Sequence, residues 1–474
     1  MIIRWQRLPK LWLLLLTLVT FNSGCVQNAA YRTKAPAFCY QNNCESALIE
    51  HHNHPDEGYD LAFVEFSERG NVFDRERMNE VIQYINNQEK NSRDGIMLLV
   101  YAHGWHHNAK NQENGDVNDF RNTLRITSKN RFDKRKVIGV YIGWRGESLG
   151  IDHLNLVTYW GRKNTARQVG GGSVSELLLR LNQIAARGEE HNKNIFVITG
   201  HSLGAALILT AMKDALLERL ISAQYVKPGQ CGTVRHFRGI CSAGCYKARS
   251  FGDGIFLVNP AVEANALVQI KEYLSEQRCY KRDQPKLMHI LSSDTDIPTR
   301  YAFSIGQFIG VSLTDQEALL KRRIFIGDSL QKKDIYLDEH ELDTFTIGNY
   351  PVFRTGRSTG INGYEPCEGK GNCISDEERK TYGENFPVAP FEPVSIIYVD
   401  KSFMKGHNDI FNKEVLSYIA TAIIENKYKQ NPNIVNKHLL KECTKKDEKK
   451  KVTRFSFQSC QSVFRKVYSK DLPD

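Results

Sequence analysis

The chain has 474 residues, 41% of them hydrophobic and 25% charged. These are globular proportions, and they exclude a disordered or collagen-like chain. Lys and Arg outnumber Asp and Glu by 64 to 54, a net +10; from Lys437 onward eleven basic residues face five acidic ones. The remainder is close to neutral, which excludes a nucleic-acid-binding body.

In chain order, Arg4, Arg7 and Lys10 precede the apolar run Leu11–Phe21, which is too short to span a bilayer as a mature helix. Small residues Ser23 and Gly24 then lead to Cys25. The segment resembles a bacterial lipoprotein signal, with Asn22 standing where that motif has Leu. The resemblance implies removal of residues 1–24, lipidation of Cys25 and anchoring in the cell envelope, at the outer membrane or its periplasmic face. Ordinary cleavage to a secreted product is the alternative. Ten further cysteines fall in clusters, at 39 and 44, at 231, 241, 245 and 279, at 367 and 373, and at 443 and 460. They read as disulfide staples of an oxidising compartment, and without paired C-x-x-C units no metal site is expected. Residues 25–58 are polar and contain His51-His52-Asn53-His54. They are expected to form a tether with solvated histidines.

From Tyr59 to about residue 430, short apolar runs alternate with helix-length segments. Strands are expected over Leu61–Phe66, Ile96–Ala102, Val137–Trp144, Ile195–Thr199, Ile255–Val258, Leu287–Leu291 and Ser395–Val399. Helices are expected over Asp74–Lys90, Asp119–Lys129, Val174–Ala186, Leu203–Ser222, Ala261–Leu274 and Asp409–Lys427. This alternation predicts an α/β fold with a mostly parallel central sheet and helices on both faces. Cysteine-bearing insertions at about 227–252 and 305–393 interrupt the rhythm, where lids or rims over a site form. Residues 431–474 read as a basic, stapled surface appendage.

Gly200-His201-Ser202-Leu203-Gly204 is a G-x-S-x-G between a buried strand and a long helix without proline, the context of a nucleophile elbow. The turn would expose the Ser202 hydroxyl at a helix N-terminus, where peptide N–H groups favour developing negative charge. A serine needs a histidine to take its proton, and that histidine needs a carboxylate. Asp294 and Asp296 follow the strand Leu287–Leu291. Of the downstream histidines His340, His407 and His438, only His407 follows a strong strand and opens a helix.

Here the segments LAFVEFSERG, YAHGWHHNA, YWGRKNTARQVG, ITGHSLGA, FLVNPAVEA, SSDTDIPTRYAF and GHNDIF carry a likeness. Over roughly residues 59–425 the chain resembles an α/β-hydrolase, of a bacterial esterase/lipase-like group. The resemblance implies Ser202 as nucleophile, Asp296 as acid and His407 as base, with Asp294 the competing acid. It also implies an oxyanion hole of the Leu203 and Trp105 backbone N–H groups, the latter from His103-Gly104-Trp105. Arg162-Lys163-Asn164 and Asn259-Pro260 are expected to line or brace the site. The expected activity is cofactor-free cleavage of carboxylic or lipid esters. A peptidase, a thioesterase or a non-catalytic envelope binding protein are the alternatives. Expected partners are the substrate and the membrane, not nucleic acid.

Overall fold

The computed structural model describes residues 28–472 except 40–43, 45, 111–114, 132–133, 147–151, 188–192, 233–239, 277–278, 305–306, 308–317, 326–331, 359–363, 367–376, 379, 381–387, 389–390, 432, 434, 436 and 448–451. Cys25, Cys367 and Cys373 therefore lie outside the described residues.

The chain begins with β1 (Ala37–Phe38), β2 (Ile49–His52), β3 (Tyr59–Glu65), α1 (Arg75–Asn91), β4 (Ile96–Ala102), α2 (Asp116–Lys129) and β5 (Lys136–Gly143). Next come α3 (Asp152–Gly170), α4 (Val174–Ala185), β6 (Ile195–His201), α5 (Leu203–Ile221) and the hairpin β7 (Gln224–Val226) and β8 (Cys245–Lys247). β9 (Gly254–Val258), α6 (Val268–Glu276) and β10 (Met288–Ser293) follow, then the hairpin β11 (Leu319–Phe325) and β12 (Lys332–Asp338). After α7 (Glu339–Thr344) come β13 (Gly356–Ser358), β14 (Tyr364–Pro366), β15 (Val394–Val399) and α8 (Lys413–Gln430). The chain closes with α9 (Lys437–Cys443), β16 (Thr444–Asp447), β17 (Val452–Phe455) and α10 (Phe457–Tyr468).

Eleven strands form one sheet in the order β1-β2-β3-β5-β4-β6-β9-β10-β15-β13-β14. All neighbours from β3 to β13 run parallel. Only β2 against β3 and β14 against β13 are antiparallel. The protein is thus α/β with a large, mostly parallel sheet. Side chains alternate strictly across it: Leu98 and Val100 of β4 join Phe196 and Ile198 of β6 in one core, Tyr101 joins Ile195 and Val197 in the other. Both faces are apolar because both are covered by helices. The chain steps one way from β4 to β5 and the other way from β5 to β6. That reversal opens a crevice beyond the C-terminal ends of β4 and β6, where ligands of open α/β sheets bind.

Three sequence readings need correction. Residues 34–52 are not a free tether. β2 pairs with β3, and Lys34 bridges Ala47. Glu50 is fully buried between Arg32 at 2.8 Å and Arg121 at 2.6 Å. Burial pushes its carboxyl up, but hydrogen bonds from His52 and Arg121 and the guanidinium charges hold it down at about 2. His51 meets Asp60 at 2.8 Å and His52 stacks on Tyr59, so these histidines are structural. Composition suggested solvation because each charge was counted without its buried counter-charge.

The second correction is α3, which precedes the helix expected at Val174. Its Gly161, Gly170 and scattered polar residues break the apolar period that marks an amphipathic helix. The third is the C-terminal appendage. Cys460, Phe464 and Tyr468 fall at i, i+4 and i+8 on α10 and pack with Ile126 of α2 and Leu439 of α9. Disulfides join Cys39–Cys44, Cys231–Cys245, Cys241–Cys279 and Cys443–Cys460. Cys231–Cys245 closes the β7–β8 insertion on itself, and Cys241–Cys279 ties it to the chain after α6. In the longer insertion Leu342, Ile347, Tyr350 and Phe353 are buried in the main core, so this part is body rather than rim.

Candidate active site

β6 ends at His201, and Ser202 follows with φ 54°, ψ −120° before α5 begins at Leu203. A non-glycine residue there is strained and persists only when its surroundings fix it. Backbone hydrogen bonds do so: Ser202 N–H donates to Val258 O at 3.1 Å, and Ser202 O accepts from Ala205 and Ala261 N–H, each at 3.1 Å, and from Ala206 N–H at 3.3 Å. Gly204 lets the turn press on β4; a Cβ there would lie 2.2 Å from Ala102 O. The result is a buried serine at the crevice, its hydroxyl set at the head of a 19-residue helix.

His407 stands on the loop between β15 and α8. Its Nε2 lies 2.8 Å from Ser202 Oγ and its Nδ1 lies 2.9 Å from Asp296 Oδ1. With Nδ1–H donated to a carboxylate, Nε2 is left to accept from the serine hydroxyl. Asp296 is fully buried after β10, and Thr299 supplies its N–H to Oδ1 at 3.1 Å and its hydroxyl to Oδ2 at 2.5 Å. Asn349 of the long insertion donates in turn to Thr299 Oγ1 at 3.4 Å. Asp294 stays apart: its backbone N–H joins Val399 O, and burial, then Asp400, push its carboxyl above the usual range. The structure therefore brings together Ser202, His407 and Asp296, and leaves Asp294 off the line.

The His407 loop is held by further polar side chains. His201 Nε2–H and Asn259 Nδ2–H both donate to the His407 carbonyl at 2.9 Å. Ser293 and Thr295 hydroxyls both donate to Met404 O, at 2.8 and 3.0 Å. Asn259 was expected only to line or brace the site; it is fully buried and also accepts from Ser293 N–H at 3.0 Å. It thus pins the ends of β9 and β10 to the His407 loop. Burial depresses the His201 imidazole to about 3, with neighbouring His407 adding to the effect, so it serves as a neutral donor. Its place inside G-x-S-x-G is the one signal that could have suggested this.

Beyond β4, Gly104 sits against the turn: a Cβ there would lie 3.0 Å from Ser202 Cβ. His103 locks this loop from below, its Nδ1–H donating to Gly104 O at 2.9 Å and its Nε2 accepting from Trp144 N–H at 3.3 Å. Burial holds His103 at about 3. Trp105 N–H donates to no backbone carbonyl among the described residues. Leu203 N–H is one of the four that every helix start leaves without an intrahelical acceptor. Both donors remain available to an oxyanion. The Trp105 indole meets Tyr159 of α3 edge-on at 5.0 Å, so the overlooked helix forms a wall of the site.

Behind that wall, buried Glu263 pairs with buried Lys163 and half-exposed Arg167 of α3, and Gln307 donates to it at 2.6 Å. Burial lowers the Lys163 ammonium to about 8 despite Glu263. Arg162 and Arg145 share Glu68. These pairs brace α3 and leave Asn164 exposed. Among the described residues the one cluster spaced for a metal is Cys39, Glu50 and His52. Its Cys39 sulfur is in a disulfide and its Glu50 is engaged by two arginines, so the donor set does not fit.

No protein-family model, no curated protein and no solved structure matches the chain.

Proposed function

We propose that this protein is a serine hydrolase of the α/β-hydrolase type that cleaves carboxylic esters, lipid esters among them, through an acyl-enzyme. The observation that carries the reading is the unbroken hydrogen-bonded line from Ser202 Oγ through His407 to Asp296. The chain order Ser, Asp, His is that of α/β-hydrolases, with the serine in a strained strand–turn–helix elbow. As Ser202 Oγ bonds to the ester carbonyl carbon, His407 Nε2 takes its proton. The carbonyl oxygen gains negative charge between the Leu203 and Trp105 N–H groups. His407 gives the proton to the departing alkoxide as the C–O bond breaks, leaving an acyl-serine. Water then loses a proton to His407 and attacks the acyl carbon. The serine oxygen leaves with that proton, and the carboxylic acid is released. Asp296 stays ionised and holds the imidazole throughout.

The same reading places the protein outside the cytoplasm, anchored by a lipid on Cys25. Four disulfides among the described residues support an oxidising compartment. No helix among the described residues is long and apolar enough to cross a membrane. Hydrolysis of p-nitrophenyl esters of graded acyl length, beside phospholipids and peptides, tests the proposal. Wild-type protein is expected to turn over the esters and Ser202→Ala to lose that turnover while remaining folded. Ester turnover by Ser202→Ala close to wild type would overturn it. Membrane fractionation of Cys25→Ser tests the anchor; persistent membrane association of that variant contradicts it.

A further inference from the structure

On the sheet face opposite α5, the cover formed by α2 and α8 is incomplete. A cavity of about 140 Å³ remains between β4, β6 and β9 on one side and α2, α8, α9 and α10 on the other. Met97 and Leu99 line it and keep accessible surface, although β4 lies in the middle of an eleven-stranded sheet. Ile419 and Ala420 of α8 face the same space and are also only partly buried. Protein interiors are close-packed, and an apolar cavity of this size stays dry or takes up an apolar ligand.

The space is long rather than round. It follows β6 from Ile195 to Thr199, about 13 Å at the strand rise. Its walls are mostly aliphatic and aromatic, with the hydroxyls of Thr123, Thr127 and Thr199 among them, and the basic residues Arg131, Arg135 and Lys427 line it beside Asn130. Lys427 is paired with Asp253 at 2.9 Å. Arg131 directs its guanidinium to the carbonyl and hydroxyl oxygens of Ser128, neutral acceptors that leave its charge without a carboxylate among the described residues. A narrow apolar slot with basic residues in its lining complements a single apolar tail bearing an anion.

We propose that this cavity is a binding site for a medium-chain fatty carboxylate, its tail between β4 and α8 and its carboxylate at Arg131. The C-terminal module, stapled by Cys443–Cys460, forms the outer wall through Leu439, Phe464 and Tyr468. The site is separate from Ser202, which opens at the strand ends, and it does not depend on the hydrolase reading.

The test is titration of the full-length, delipidated protein with a dansyl-labelled undecanoic acid. One saturable site per chain is expected, displaced by decanoate and far less well by decanol. Ala420→Phe, which fills the slot, should weaken binding by about tenfold or more, as filled cavities exclude their ligands. Arg131→Gln should cost decanoate about tenfold and leave decanol unchanged, the signature of a lost charge-assisted contact. Should Ala420→Phe fail to fold, Arg131→Gln decides alone. Protein phosphonylated at Ser202 should bind like untreated protein; failure of that labelling would bear on the hydrolase reading only. Absence of saturable binding, indifference to both substitutions, or loss of binding on phosphonylation would each overturn the proposal.

Discussion

The two faces of the central sheet are built from different materials. Toward α5, aliphatic side chains of β4 and β6 meet Ala205, Ala206 and Gly204, and the layers close to backbone contact. Toward α2 and α8 the core holds Tyr101, Phe120 and Tyr141 together with three buried histidines. His103 stacks on Tyr141 and Trp144, His289 stacks on Phe256 and bonds Tyr418 at 2.8 Å, and His201 lies beside His407. The face carrying Ser202 is positioned by small residues that allow no slack. The face carrying His407 is positioned by side-chain hydrogen bonds to loop carbonyls, and it retains a cavity. Rigidity has two origins here, steric on one side and polar on the other.

Substitutions can set these origins against each other. The largest effect is expected at the polar support of the histidine. Asp296→Asn should lower kcat on an activated ester by about 10⁴-fold, while Asp294→Asn stays near wild type. An inactive Asp294→Asn beside a near-normal Asp296→Asn would reverse the acid assignment. On the steric face, Gly204→Val forces new atoms against the Ala102 carbonyl. It should destabilise the protein by about 3 kcal/mol in urea titration. Unchanged stability would mean that α5 can move away from β4.

Cutting the staple of the other face should cost less. Cys443→Ser combined with Cys460→Ser frees a loop of sequence separation 17 and should lose about 2 kcal/mol. Hydrogen exchange is expected to quicken in α8 and α10 and not in α5; uniform quickening would deny that the faces are independent. A further effect is graded with pH. Burial holds His103 and His201 at about 3 in the fold, against 6.5 ordinarily. Between those values the unfolded chain binds more protons, so stability is complete above about 6.5 and falls as pH drops toward 3. Stability independent of pH over this window would show that these imidazoles are not buried neutral.

The steric face was the more legible in the sequence. An apolar run, a G-x-S-x-G and a helix rich in alanine define β6, the Ser202 turn and α5, because close packing demands those residue types at those positions. The polar face was hidden. Asn259 and His201 act through hydrogen bonds to the His407 carbonyl, a contact across 148 and 206 residues of chain that no local pattern encodes. β2 was obscured by Glu50, whose burial depends on arginines 18 and 71 residues away. α3 lacks the apolar period by which helices announce themselves, yet it supplies Tyr159 to the site. Choosing between Asp294 and Asp296 required knowing which way the chain turns after β10.

The most direct test of Ser202 as nucleophile is reaction of the folded, full-length protein with a fluorophosphonate, followed by peptide mass mapping. One equivalent should add to the peptide containing Ser202. Labelling should vanish in Ser202→Ala and slow severely in His407→Gln. A folded wild-type protein that stays unlabelled, or that is labelled elsewhere with Ser202 untouched, would contradict the catalytic reading of this site.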